Sequence, residues 1–219
     1  MLRYDRPRER TASARCGQCY ACEATTEMHP ATHLLISWSV AESAHLSPKD
    51  RMLVTLCGVL PDIDGLGIVV EIATENSARP LTWWSEYHHV LCHNIGFGLV
   101  LAGVVATVAT RRWVSVALGL VAFHLHLLGD LAGSRGPDGY QWPIPYLLPF
   151  SNRWQLVWSG QWVLNAWPNV LITAALLGST LYLAWRRGYS PVEMVSARAD
   201  RAIVSALRAR FGEPRGSQA

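Results

Sequence analysis

The chain has 219 residues, half of them hydrophobic and only 16% charged, with ten tryptophans and a formal net charge of +3. Ordinary domains run near a quarter charged. The composition therefore excludes a largely disordered chain, and so small a positive charge gives no footprint for direct nucleic-acid binding. One domain with short appendages accommodates the length, and the excess of apolar residues points to a lipid bilayer.

In chain order, residues 1–27 stand apart. Met1 to Arg15 carries Arg3, Arg6, Arg8, Arg10 and Arg15 but no apolar stretch of the kind a secretory signal needs. Cys16, Cys19 and Cys22 follow at C-x-x-C-x-x-C spacing, which can hold zinc or part of an iron–sulfur cluster, with His29 the nearest fourth ligand. The plainer reading is an extension that is disordered or lies upstream of a true start at Met28.

Thr32-His33-Leu-Leu heads an apolar helix, where His33 is either a hydrogen-bonded core residue or a metal ligand. Met52 to Ile72 is long enough to cross a membrane but carries Pro61, Asp62 and Asp64 at its centre. In an extended or turn-like segment the two carboxylates share a face and repel unless a cation or a proton lies between them. The alternative is a helix-capping Asp beside a turn Asp. Tyr87 to Asn94 holds His88, His89 and His93. On a continuous helix His89 and His93 share a face, as zinc-binding pairs do; in a turn, His88 reaches instead. Cys57 and Cys92 read as small core residues.

Ile95–Thr110 and Trp113–Leu131 are apolar and flank Arg111-Arg112, which predicts a tight helical hairpin. His126 and Asp130, at i and i+4 in the second helix, can bind one ion; His124 points about 200° away from His126. The loop after Asp130 is rich in turn residues; it reads either as a plain interfacial loop or as one whose Arg135 holds a phosphate. Trp142, Trp154, Trp158, Trp162 and Trp167 suit an interfacial aromatic belt. A further apolar stretch, Val170–Trp185, ends at Arg186-Arg187. Ser190-Pro-Val-Glu193 has the pattern of a capping box and is expected to open an amphipathic, arginine-rich helix. That helix either lies on an anionic membrane surface or packs on the protein itself.

These readings predict an all-α, membrane-embedded helical bundle with three or four hydrophobic helices. Residues 28–189 form its functional domain, 1–27 an extension, and 190–219 a basic helix and tail. Placing both Arg pairs in the cytoplasm gives a multi-pass topology with the tail inside.

Ionisable groups inside apolar segments are costly and mark function. Imidazoles with carboxylates favour Zn²⁺, Mn²⁺ or Fe²⁺ over Ca²⁺ or Mg²⁺. A cluster without cysteine suggests a catalytic rather than a closed structural site. The candidates outnumber what one zinc needs, so one to three ions are expected, zinc foremost. Centres of two or three metals commonly hydrolyse phosphoesters through an activated water.

The order T-H-L-L, P-D-I-D, paired histidines before an apolar helix, then H-x-x-x-D resembles the YdjM-like family of LexA-binding, inner-membrane-associated metal-dependent hydrolases. The resemblance covers about residues 28–187. Where that family carries H-R-G-x-T-H-S, this chain reads His88-His-Val-Leu-Cys-His93-Asn94. The resemblance implies His33, Asp62, Asp64, His88, His93, His126 and Asp130 as metal ligands, with His89 in the arginine position. The family is in turn distantly similar to zinc-dependent phospholipase C and the P1-type nucleases.

The expected function is hydrolysis of a phosphoester, either a phospholipid or another phosphodiester. Asp62 or Asp64 would act as general base and Arg135 would bind phosphate. The alternative is a non-enzymatic membrane protein, ion-handling or a regulatory scaffold, using the same cluster. The expected partners are the bilayer and a small-molecule or lipid substrate. A LexA-type regulator enters through the family's name alone.

Overall fold

Five regular elements begin on a proline at their first or second position. Proline suits the first helical turn, where its missing N–H would have no partner. The computed structural model describes residues 29–135, 139, 141–163 and 165–214. They form α1 (Pro30–Ala41), α2 (Pro48–Cys57), a 3₁₀ segment (Leu60–Leu66) leading into α3 (Gly67–Thr74), and the short α4 (Trp83–Tyr87). Then come α5 (Ile95–Val108), α6 (Arg112–Gly133), α7 (Trp167–Arg187), a second 3₁₀ turn (Pro191–Met194) and α8 (Ala197–Phe211). Strand pairing among the described residues amounts to isolated bridges, so the protein is all-α. The Cys16/Cys19/Cys22 motif and the proposed extension lie outside the described residues.

The bundle is organised around α6, which packs on α1, α2 and α5. Ser115, Gly119, Ala122, His126, Asp130 and Gly133 are buried along it at spacings of three and four, hence on one face. Small residues on that face let the neighbours come close. A Cβ on Gly119 would stand 3.0 Å from Cys57 Sγ, and one on Gly58 would stand 2.0 Å from Ser37 Oγ and 3.0 Å from the Ala122 carbonyl. Phe123 and Leu127 meet Leu101, Val105, Cys57 and Ile144 in an apolar core beside this seam. Cys57 and Cys92 are both buried free thiols.

Outward faces are apolar. Leu99, Val100 and Val104 of α5, Trp113, Val121 and Leu128 of α6, and Val170, Leu171 and Leu177 of α7 are all exposed. By length and composition α6 and α7 can each cross a membrane, and a third crossing is available if α2 and the Leu60–Thr74 segment act as one span bent by 53°. The bend falls where Pro61 removes a backbone donor. The fourth stretch is shorter than its sequence suggested: α5 has 14 residues and covers about 21 Å, against the ~30 Å of a hydrocarbon core.

Two other expectations are corrected. Trp142 is buried against Trp84 and His89 rather than sitting in an outward belt, while Trp154, Trp158 and Trp167 are exposed. The Ser190 cap opens only the 3₁₀ turn, because Glu193 turns to Arg51 (Nη2 to Oε1 2.7 Å). The basic helix starts six residues later, capped by the Ser196 side chain, which accepts from Ala199 N. It packs on α7, with Trp185 Nε1 donating to the Gly212 carbonyl at 2.7 Å, and leaves Phe211 exposed.

The α5–α6 hairpin is pinned from α2. The fully buried Asp50 accepts from Thr110 N (2.9 Å) and Arg111 N (2.8 Å) in the connecting turn. Asp50→Ala removes both bonds, and a typical intramolecular hydrogen bond contributes about 0.5–1.5 kcal/mol net. Thermal unfolding of the detergent-solubilised variant is expected to show that loss; an unchanged melting curve would remove Asp50 from the hairpin's stability.

Candidate metal centre

Each site residue is delivered by an element whose own local bonds fix it. His33 lies one turn into α1, whose N-cap His29 accepts from Ala31 N through Nδ1 at 3.2 Å. Asp62 and Asp64 project from the 3₁₀ segment. Downstream, Glu71 of α3 accepts from Ser85 N (3.0 Å) and Ser85 Oγ (2.8 Å), which locks α4 in place. His88 caps the end of α4. The 88–94 stretch is a run of turns, so the continuous-helix option for His89 and His93 does not apply. Asn94 holds that turn: its amide donates to the Val90 and Leu91 carbonyls, both at 2.8 Å, and its Oδ1 accepts from Phe97 N as the N-cap of α5. Asn thus does at this position what Ser does in an H-x-x-x-x-H-S pattern, since both are strong N-caps.

The geometry centres on Asp130. His33 Nε2 lies 3.1 Å from Asp130 Oδ1, and His126 Nε2 lies 3.0 Å from Asp130 Oδ2. Asp62 Oδ1 approaches His126 Nε2 at 3.4 Å and His93 Nε2 at 3.9 Å. His93 Nε2 sits 3.1 Å from His126 Nε2 and 3.4 Å from Asp130 Oδ2. His33, Asp62, His126 and Asp130 each offer a donor atom within 4.8 Å of the others, and so do His89, His93 and Asp130.

Asp64 stands one layer back. It takes His88 Nδ1 on Oδ1 (2.8 Å) and both Cys92 N (3.0 Å) and His93 Nδ1 (3.3 Å) on Oδ2. Orienting an imidazole through its far nitrogen is how an outer carboxylate sets up a metal ligand. Rather than sharing one face as their spacing predicts, Asp62 and Asp64 address opposite nitrogens of His93. Arg135 is exposed, its amide bonded to the Trp162 carbonyl, next to Ser134, whose hydroxyl donates to Asp130 Oδ1 at 3.3 Å. His124 turns away to Tyr146 OH (2.8 Å) and the Leu120 carbonyl.

Some contributors had no sequence signal. Gln161 donates to the Asp130 carbonyl at 2.8 Å, and Trp142 roofs His88 and His89. The Gly58 carbonyl accepts from His126 Nδ1 at 2.9 Å. That last bond decides the chemistry. A carbonyl can only accept, so Nδ1 carries the proton and Nε2 of the neutral ring presents a lone pair. The lone pair faces two carboxylates and another imidazole. Such a set of acceptors is stable only around a positive charge.

Without an ion, a proton can supply that charge. Burial pushes the His93 pKa down, but hydrogen bonds and charges from Asp130 and Asp64 outweigh it and raise it to about 10. His89 behaves oppositely: burial, with His88 and His93 beside it, holds it well below the ordinary histidine range. It is therefore neutral, the form that ligates metals.

These features define an all-helical membrane protein with a buried His/Asp cluster able to hold divalent cations. The chain belongs to the YdjM family: the family model described as YdjM inner membrane protein matches residues 28–203. No curated protein and no solved structure matched the chain.

With its pKa raised to about 10, His93 favours the protonated form at neutral pH, so a cation that binds it displaces a proton. Apparent affinity is expected to rise with pH, up to about tenfold per unit for each proton displaced. Chelator-competition titrations between about pH 6 and about pH 8 measure this. A flat profile would mean that the cation does not contact His93.

Proposed function

We propose that this protein is a multi-pass, membrane-bound, metal-dependent hydrolase whose substrate is a phosphoester, and that zinc is its resident ion. The observation that carries the reading is the fixed His126 tautomer, which aims a lone pair at Asp130 and Asp62 inside an apolar bundle. The donor set, imidazole nitrogens with carboxylates and no thiolate, suits Zn²⁺ with coordination positions left for water and substrate. When bound, such an ion acidifies a water molecule and polarises a phosphoryl oxygen.

The chain's own residues divide the remaining work. Asp130 and His126 on α6, His33 on α1, His93 in the turn before α5 and Asp62 on the 3₁₀ segment are the proposed ligands. Asp64 and His88, carried over as ligands from the family pattern, sit at the back of the cluster, where Asp64 fixes the ring of His93. Asp62 is 14% exposed at its side chain, while Asp64 and Asp130 are at 1%. A general base must reach water and substrate, which favours Asp62 over Asp64 for that role. Arg135, exposed and close in sequence to Asp130, is suited to pair with a phosphate. The bilayer supplies a substrate class directly, since phospholipids are phosphodiesters.

Asp130→Asn is expected to remove bound metal and at least about 10²-fold of the hydrolysis of bis-p-nitrophenyl phosphate or a phospholipid in mixed micelles. Metal content and turnover are measured on the same preparation. Turnover that survives loss of the metal, or a metal-loaded protein inert toward phosphodiesters and phospholipids alike, would sink the hydrolase reading. The second outcome would leave the ion-handling alternative standing.

A further inference from the structure

His89 is the one imidazole of the cluster whose two ring nitrogens both lack a hydrogen-bond partner among the described residues. It is 1% exposed, and its backbone holds a left-handed φ of 62°, which residues with a Cβ adopt uncommonly. Its ring is wedged between His88 (centroids 4.2 Å apart), His93 (4.4 Å) and Trp142 (5.1 Å). An apolar side chain would fill that space without desolvating two nitrogens. What a packing role does not explain is its reach: a His89 nitrogen comes within 4.8 Å of donor atoms of His93 and Asp130.

We propose that His89 is a ligand of a second divalent cation, held with His93 and Asp130 beside the ion of the His33/Asp62/His126 set. The inference rests on the metal-centre reading above and adds to it. Asp130 belongs to both donor sets, and its oxygens are directed differently: Oδ1 to His33, Oδ2 to His126 and His93. A carboxylate with two oriented oxygens is the natural bridge between two ions a few ångströms apart. The donor set of two imidazoles and a carboxylate suits Zn²⁺ or Mn²⁺ and leaves positions for a phosphoryl oxygen. The strained turn then has a purpose. It turns consecutive histidines to different tasks, His88 to Asp64 and His89 into the cluster.

The full chain, purified in detergent, is loaded with Mn²⁺ or Zn²⁺ alone, desalted, and its metal counted by mass spectrometry. About two ions per chain are expected for the wild type and about one for His89→Asn, chosen because asparagine tolerates the left-handed backbone. A wild type holding one ion, or a His89→Asn variant that keeps two, overturns the second site while leaving the first intact. A wild type that holds none overturns the metal centre itself. Paramagnetic resonance of the Mn²⁺-loaded wild type decides the matter even if the variant does not fold. An exchange-coupled signal supports the bridged pair, and a purely isolated-ion spectrum refutes it.

Discussion

The hydrogen bond from His126 Nδ1 to the Gly58 carbonyl is the constraint on which the rest of this molecule depends. It ties α6 to the end of α2, and it exists only because residue 58 has no side chain to keep the helices apart. Its electrostatic effect is as large as its geometric one. Fixing the proton on Nδ1 turns Nε2 toward Asp130 and Asp62 as a third acceptor. Several lone pairs then converge among side chains that, apart from Asp62, are almost fully buried, where solvent does little to screen them. Backbone packing thereby dictates a requirement for positive charge, and the raised His93 pKa is that same requirement expressed as proton affinity.

Around this centre the supporting bonds run outward in a chain. Asp64 aims His93 and is braced by Cys92 N. Asn94 closes the turn that carries both histidines, and Glu71 fixes the helix from which that turn departs. Each of these bonds removes a rotation that would otherwise blur the donor positions. A site assembled from α1, α6, the 3₁₀ segment and the 88–94 turn needs such bracing, because loops place ligands less firmly than helices do.

The legible part of this arrangement was what spacing encodes. His126 and Asp130 lie four apart on one helix, so their common face follows from helical geometry alone. Pro61 marked the break in the 52–72 stretch, and alternating charge with apolar runs gave the all-α membrane bundle. Register across turns was not legible. Asp62 and Asp64 read as one pair because alternate residues of an extended or turn-like segment share a face, whereas the 3₁₀ winding sends them to opposite nitrogens of His93. Trp142 gave an interfacial signal because tryptophan usually does, and only tertiary contact with Trp84 and His89 draws it inside. A glycine carbonyl carries no sequence signature at all, so the bond that fixes the tautomer could not have been read in advance.

The inside-out distribution of polarity bears on how such a centre can work in a membrane. The helices turn leucine, valine and tryptophan outward and keep their histidines and aspartates inward, so the bilayer supplies no competing dipoles near the cluster. Charge interactions there are correspondingly strong, which makes the cluster costly to leave without a compensating positive charge. Asp62 is the exception, the only central carboxylate with appreciable exposure. A buried cluster with one carboxylate at its edge is asymmetric: Asp62 can exchange protons with solvent more readily than Asp64 or Asp130, whose side chains are almost fully covered.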